Sequence, residues 1–406
     1  LRNLISKKTL VTGLMLGAAA VAAIVPSISA LAYGTAPTLA DDGLATQFST
    51  ETHNLRLSGS TTCFPIIAHA LGLSTTSTGG VGSAGPFQNA NGGLYSSVLA
   101  DIECLGSGHG WADNNAEAND IGLSSRAWKS SEPAGLNAIP FGRDGICIIV
   151  NNGVNVADIT RQQLSDIYTG GITNWSALGG SGNIIPIARE TTSGTYGSVG
   201  DFLKSYGYTA TAEQSTVTHA RQQTNAAMVA EVAATPNSIG YVGVGYAAAA
   251  EADGAKVLTL EGKTPTEQNV TTGAYAFSRY LYLITKPGAT DTDVSGNASV
   301  ISAFVNYIKS DEGQDIVKAE GYVKMVADSD INSDSIVNLY DLTQLGLKWN
   351  KSVAAHTLTA GDRADIDGNG TVNLYDLTKL GLWWGIDYVV QADKVSGGTA
   401  PGYTTP

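Results

Sequence analysis

One unit recurs in this chain: a short apolar strand, a corner of hydroxyl residues and glycine, then a helix. "NLRLSGSTTCFPIIAHALG", beginning at Asn54, has this form, and "NIIPIARETTSGTYGSVGDFLKSYG", beginning at Asn183, repeats it. A strand that runs straight into a helix does not return as a hairpin, so such units specify parallel strands covered by helices. "NDIGLSSRAWK", "NSIGYVGVGYA" and the β-branched run Ile146 to Val150 in "AIPFGRDGICIIVN" read as further strands. "TRQQLSDIYTG" and "VISAFVNYIKSDEGQDIVKAEGY" read as helices. The expected class is α/β, and 406 residues are enough for more than one domain.

The two corners share a chemistry. "SGSTT" (Ser58 to Thr62) and "TTSGT" (Thr191 to Thr195) each place free N–H groups and hydroxyls at the start of a helix, where the dipole favours an anion. Arg189, just before the second corner, can fork onto two oxygens of a tetrahedral anion. "GGVGSAG" (Gly79 to Gly85) and "SSR" (Ser124 to Arg126) are two more polar loops that can complete a cage. Each loop alone is also explained as a helix cap, so their joint order carries the weight. A net charge of −13 without any Lys/Arg run argues against a nucleic-acid partner, but it does not oppose a local anion site. There is no "GK[ST]" phosphate loop, no nucleophile beside a base, and the five histidines are scattered. Capture without catalysis is the reading, so the chain is not expected to be an enzyme.

The words "SGSTTCFPI", "GSAG", "NDIGLSSR", "DGICIIVN", "LSDIYTGGITNW", "ARETTSGT", "SIGYVGVGY" and "SDEGQDIVKAEGYV" run in order from about Leu55 to Val326. This series resembles the phosphate-binding proteins that serve ABC transporters, of the type II periplasmic-binding-protein fold. The resemblance implies two α/β lobes joined by crossover strands, with phosphate or a similar oxyanion clamped between them and a membrane permease as a partner. It implies ligand contacts from Ser60, Thr61 and Thr62, from Ser83, from Ser125 and Arg126, and from Arg189, Ser193, Gly194 and Thr195. Many relatives carry an aspartate where Arg126 stands, and that carboxylate accepts the proton of phosphate and rejects sulfate. Asp120 and Asp144 are the alternatives for that role here. An extracellular assembly protein with weak or no ligand binding would keep the same fold.

The N-terminus has a basic start (Arg2, Lys7, Lys8), the apolar run "LVTGLMLGAAAVAAIV" and a small-residue "ALA" at Ala30 to Ala32. Residues 1–32 therefore read as a secretory signal peptide, or alternatively as an uncleaved anchor, followed by a leader over 33–51. The expected location is secreted, extracellular or cell-surface associated. Cys147 reads as a small buried hydrophobe, while Cys63 and Cys104 leave a disulfide open in an oxidising setting.

From Asp328 the character changes. "DINSDSIVNLYDLTQLGLKWN" and "DIDGNGTVNLYDLTKLGLWWG" are near copies whose first aspartates, Asp330 and Asp365, lie 35 positions apart. Each offers oxygens at positions 1, 3, 5, 7, 9 and 12 of a calcium loop. These are Asp330, Asn332, Asp334, Ile336 (carbonyl), Asn338 and Asp341 in the first, and Asp365, Asp367, Asn369, Thr371 (carbonyl), Asn373 and Asp376 in the second. Gly370 supplies the sharp turn at position 6 of the second loop, where the first has Ser335. Two calcium ions are the expected cofactors. The pattern resembles a type I dockerin, a small all-α, calcium-binding module that plugs into cohesin domains. By that resemblance Leu339 and Tyr340, repeated as Leu374 and Tyr375, face a cohesin on a partner protein. The domain plan is then 52–326 for anion binding, 328–386 for the dockerin and 387–406 for a tail.

Overall fold

The computed structural model describes residues 55–73, 79–93, 95–116, 118–204, 219–287, 298–325, 327–332, 336–353, 362–367 and 369–385. The expected signal peptide, leader and tail lie outside these residues, as do Asp334 and Ser335 of the first calcium loop.

The first lobe opens with β1 (Leu55–Gly59), α1 (Phe64–Ala70), β2 (Gly79–Gly82), α2 (Pro86–Gly93), β3 (Ala100–Glu103), α3 (Ser107–Asn115) and β4 (Ile121–Ser124). β5 (Asn137–Asn151) then crosses out of it. The second lobe holds β6 (Asp158–Ile159), α4 (Arg161–Thr169), β7 (Ile185–Pro186), α5 (Gly194–Lys204), α6 (Asn225–Ala234) and β8 (Ser238–Gly243). It continues through α7 (Ala247–Asp253), β9 (Ala255–Val257), β10 (Thr259–Leu260) and α8 (Glu267–Thr271). β11 (Ser278–Thr285) returns to the first lobe, which α9 (Ala298–Lys309) and α10 (Asp311–Ala319) complete. Two last helices, α11 (Leu339–Leu347) and α12 (Leu374–Leu382), belong to the repeats.

The sheet order is β2-β3-β1-β4-β11-β5-β8-β7, with β9 also on β5. β1 pairs in parallel with β3 and β4, as strand–helix units require. β11 is antiparallel to both β4 and β5. The long β5 belongs to both lobes: Asn137 to Gly145 pair with β11, and Ile146 to Val150 pair with β8. Its apolar run is buried on both sides. Ile146, Ile148 and Val150 enter one core with Trp175 and Tyr241, while Cys147 and Ile149 enter another with Met228 and Val242. A two-sided buried strand explains the unbroken hydrophobic run. α4 starts on the Thr160/Gln163 capping box and stops at Gly170 in the left-handed region (φ 86°), so its sequence sets both ends.

All three cysteines are buried and free, so Cys63 and Cys104 form no disulfide. Burial pushes the Cys63 thiol up to about 12, which makes it a poor nucleophile.

A polar plug closes the gap between β1 and α3. Ser58 Oγ donates to Asp113 (2.8 Å) and accepts from Asn119 (2.6 Å). Burial pushes the Asp113 carboxyl up to about 7 from its usual value of 3.8, and the Ser58 hydrogen bond only partly opposes this. Between those values the folded chain keeps a proton that the unfolded chain has released, so stability falls as pH rises from about 4 to about 7. Asp113→Asn keeps an acceptor for Ser58 and has no charge to bury. In thermal melts it should therefore raise the midpoint at pH 8 and leave it unchanged near pH 4.

Candidate functional site

The two corners face each other. Thr62, just ahead of α1, and Thr195, in the first turn of α5, bring their Oγ1 atoms within 3.3 Å although 133 positions separate them. Both are buried, as are Ser60, Thr61, Ser125 and Ser193. Ser60 shapes the first corner, accepting the Thr62 N–H on Oγ (3.2 Å) and the Cys63 N–H on its carbonyl (3.1 Å). Ser193 does the same for α5, accepting from Tyr196 and Gly197.

Arg189 is completely buried and gathers the second lobe behind this pair. It donates to the Gln222 and Gln223 carbonyls (3.0 and 2.8 Å), to Asn225 Oδ1 (2.5 Å) and to Thr61 Oγ1 (2.9 Å). Burial lowers its guanidinium to about 10, so it remains charged at neutral pH. Asn225 in turn donates to Thr62 Oγ1 (3.2 Å).

A second arginine reaches the same hydroxyls. Arg279 Nη2 lies 2.9 Å from Thr195 Oγ1 and 3.4 Å from Thr62 Oγ1. The same Nη2, together with Nε, pairs with Oδ2 of the fully buried Asp144 (2.6 and 2.8 Å), and Nη1 reaches Ser198 Oγ at 3.3 Å. The Asp144 carboxyl is pushed up by burial, against the pull of Arg279 and the Val244 N–H. Asp144 and Thr62 both lie against Gly243, which places the carboxylate at the edge of the hydroxyl cluster.

One expected ligand position stands elsewhere, and another lies beside Gly197 of α5 with its charge engaged. Ser83 is exposed, between Gly82 and Gly85, which pack on Leu71 and Gly72 at the far end of α1 from Thr62. Beside Ser125 stands instead Ser107, from "GSGHG", whose Oγ accepts the Ser125 N–H (3.0 Å) and lies 3.3 Å from Ser125 Oγ. The signal was the second glycine-flanked serine immediately upstream of "NDIGLSSR", a better position than "GSAG". Arg126 turns its guanidinium onto both oxygens of Glu132 (2.9 and 2.5 Å), so its charge is already engaged. Asp120 likewise serves the fold, accepting the Arg56 backbone N–H (2.6 Å) and pairing with its guanidinium. Asn225 and Arg279 carried no local signal.

Residues 44–312 match the family model of the PBP superfamily domain. The chain belongs to the PBP superfamily. Among superfamily relatives, the phosphate-binding protein PstS of Borreliella burgdorferi is 29% identical over 214 residues, covering 50% of this chain and 71% of that one. PstS of Bacillus subtilis is 27% identical over 243 residues, covering 58% and 75%. A phosphate-bound crystal structure from Clostridium perfringens, of a substrate-binding protein assigned to phosphate ABC transport, superposes with a TM-score of 0.55 at 29% identity. It covers 66% of this chain and 98% of that one. These superfamily relatives are binding proteins and not enzymes. Among the described residues, no helix is long and apolar enough to cross a membrane.

The repeats lie beyond the superfamily match. Their helices start alike: Asn338 (φ −148°, ψ −160°) and Asn373 (φ −150°, ψ −160°) cap α11 and α12, each in a capping box with the aspartate three positions on. Those aspartates, Asp341 and Asp376, are fully buried, as are Asp330 and Asp365. In the second loop, carboxylate oxygens of Asp365, Asp367 and Asp376 lie within 4.8 Å of one another. Asp365 and Asp376 are buried and Asp367 is half-buried, so a cation placed among them would offset their like charges. The all-oxygen donor set fits calcium.

Gly194 is where the walls come closest. A Cβ there would fall 2.1 Å from Ser107 Oγ and 2.5 Å from Ser125 Oγ. Gly194→Ala should therefore force α5 away from the α3 corner and weaken anion uptake more than about tenfold, or roughly 1.4 kcal/mol. Small-angle scattering of this variant should show a more open particle than the wild type.

Proposed function

We propose that this chain is a secreted phosphate-binding protein, the solute-binding component of a phosphate ABC transport system, held to a cohesin-bearing partner by a calcium-dependent dockerin. The reading rests above all on Thr62 and Thr195 meeting from opposite lobes with a guanidinium edge, Arg279 Nη2, directed at both. The phosphate-binding relatives named above support it. Hydroxyls and amides would take the anion's oxygens, and Arg279 would carry the charge complementarity. Arg189 would act from behind, fixing Thr61 and Asn225, while Ser107 and Ser125 line the opposite wall. A tetrahedral oxyanion would meet hydroxyls from both corners and from the Ser107–Ser125 pair. Asp144 is the carboxylate at hand to accept the proton of phosphate. Sulfate, with no proton at neutral pH, would meet a buried negative charge instead.

Titration calorimetry with phosphate, after endogenous ligand has been stripped by unfolding and refolding, should show saturable one-to-one uptake, with sulfate much weaker. Arg279→Ala should weaken phosphate binding about thirtyfold or more, the roughly 2 kcal/mol of a charge-assisted hydrogen bond. Arg126→Ala should cost about threefold or less. Equal losses in the two variants would return Arg126 to the ligand shell and remove Arg279 from it. No uptake by the wild type would leave the assembly role.

The second proposal concerns the repeats. Calcium would be held by Asp330, Asn332, Asp334, Asn338 and Asp341 with the Ile336 carbonyl, and by Asp365, Asp367, Asn369, Asn373 and Asp376 with the Thr371 carbonyl. The metal would supply the positive charge around which each loop closes. Leu339, Tyr340, Leu374 and Tyr375 are 66%, 71%, 65% and 72% exposed. Side chains of this size left in water at matching positions of both repeats suit an apolar partner face. With so small a core (Val337, Leu345, Ile366, Val372 and Leu380 at its centre), the unit would depend on its metal to fold. A chelator should lower the unfolding temperature of this unit by more than about ten degrees. An unchanged transition would reject the calcium assignment.

A further inference from the structure

The repeat unit does not simply trail from the binding domain. Three sets of contacts seat it on α10, which packs in the first-lobe core through Ile316 and Val317, and on α8, which packs in the second-lobe core through Val270. Asp328, at the entry to the unit, pairs with Lys318 of α10 and with Lys324 (2.8 Å). Lys324, only 5% exposed, also holds Asp315 of α10 at 2.6 Å. Arg363, two positions before the second calcium loop, pairs with Asp311 in the first turn of α10. Its Nη2 donates to the Asp330 carbonyl in the first loop (2.9 Å). Gln268 of α8 donates to the Leu382 carbonyl at the end of α12 (2.8 Å), satisfying one of the acceptors a helix C-terminus leaves open.

These contacts touch both calcium loops' supports. Arg363 reads the backbone of the first loop and is placed by the start of the second. Gln268 reaches α12, whose N-terminus is closed by Asp376, a residue of the second metal set. Arg363 thus grips the first loop's backbone directly, and Gln268 needs a folded α12 to present the Leu382 carbonyl. The seat leaves the exposed apolar pairs untouched.

We infer that the α8–α10 face, shared by the two lobes, is the docking surface for the chain's own calcium-loaded repeat unit. The inference rests on the calcium reading above. The unit is an arm of fixed orientation while calcium is bound and comes free when calcium is withdrawn. A partner gripping Leu339, Tyr340, Leu374 and Tyr375 would then hold the binding domain at a set angle.

Hydrogen exchange with mass spectrometry on the full chain tests this, comparing calcium with chelator and wild type with the double variant Gln268→Ala, Arg363→Ala. In the wild type, chelation should speed exchange severalfold in 339–347 and 374–382 and also in 267–271 and 311–319. In calcium, the double variant should deprotect 267–271 and 311–319 alone, with both repeat helices still protected. Chelation that opens the repeat helices but leaves α8 and α10 unchanged overturns the docking and spares the calcium assignment. A double variant with wild-type protection in α8 and α10 overturns it too. Chelation without effect on the repeat helices rejects the calcium assignment, and this inference falls with it.

Discussion

Everything at the candidate anion site hangs on one cross-strand pair. Arg279 and Asp144 are direct partners in the β11–β5 ladder, at the point where β5 is about to leave one lobe for the other. Both side chains are nearly or wholly withdrawn from water (7% and 0% exposed), so removing either would strand the other's charge. Such a pair adds little net stability over a well-packed apolar alternative. What it adds is direction. Asp144 fixes the guanidinium through Nε and Nη2, and that same Nη2 is thereby aimed at Thr62 and Thr195. The strands that join the lobes therefore also set the angle at which the site's charge meets its hydroxyls.

The acidity of the chain sharpens this. With a net charge of −13, long-range attraction would not gather an anion, and screening shortens whatever field remains to about 8 Å at physiological salt. Affinity has to come from groups already aimed at one point before the anion arrives. Arg189 shows how far the fold goes to achieve that. It spends four of its hydrogen bonds on protein acceptors in the second lobe and on Thr61, so it works as a bracket that orders hydroxyls. Arg279, tied to Asp144 and to hydroxyls, would on the proposed reading meet the ligand through Nη2. Two arginines in one site thus divide into framework and contact.

The extent to which this was legible in the sequence follows from the range of each interaction. The corners "SGSTT" and "TTSGT" were readable because a helix start is local chemistry: a few adjacent residues decide which N–H groups are free and which hydroxyls stand beside them. The two-sided burial of β5 was readable for the same reason, from an unbroken apolar run. Arg279 was not. It sits in "SRYLYLIT", an ordinary strand, and its role comes from partners 84 and 135 positions away. Asn225 depends likewise on a loop packing across from Arg189. Ser83 and Ser107 both follow a glycine, and only the strand order shows the difference: "GSAG" follows an edge strand, whereas "GSGHG" opens the helix beside β1 and β4. The pairing of Arg126 with Glu132 was equally illegible, because nothing within the motif announces that the carboxylate will fold back on it.

The repeats present the opposite case, in which pattern carries almost everything. Their two capping boxes agree within a few degrees of backbone angle, so identical words have produced identical local structure. Duplication also explains the arrangement of the apolar surface. Two copies of one sequence bury equivalent positions in a shared core (Leu345 and Leu380) and expose equivalent positions outward. Leu339 with Tyr340 and Leu374 with Tyr375 are thus left in water by the same symmetry that builds the core. What symmetry cannot do is attach the unit to a body that lacks it. Arg363 in the linker between repeats and Gln268 on the binding domain are single residues without a symmetry mate. A duplicated module that offered the same face twice could seat on the lobes in two ways, and these unique contacts choose one.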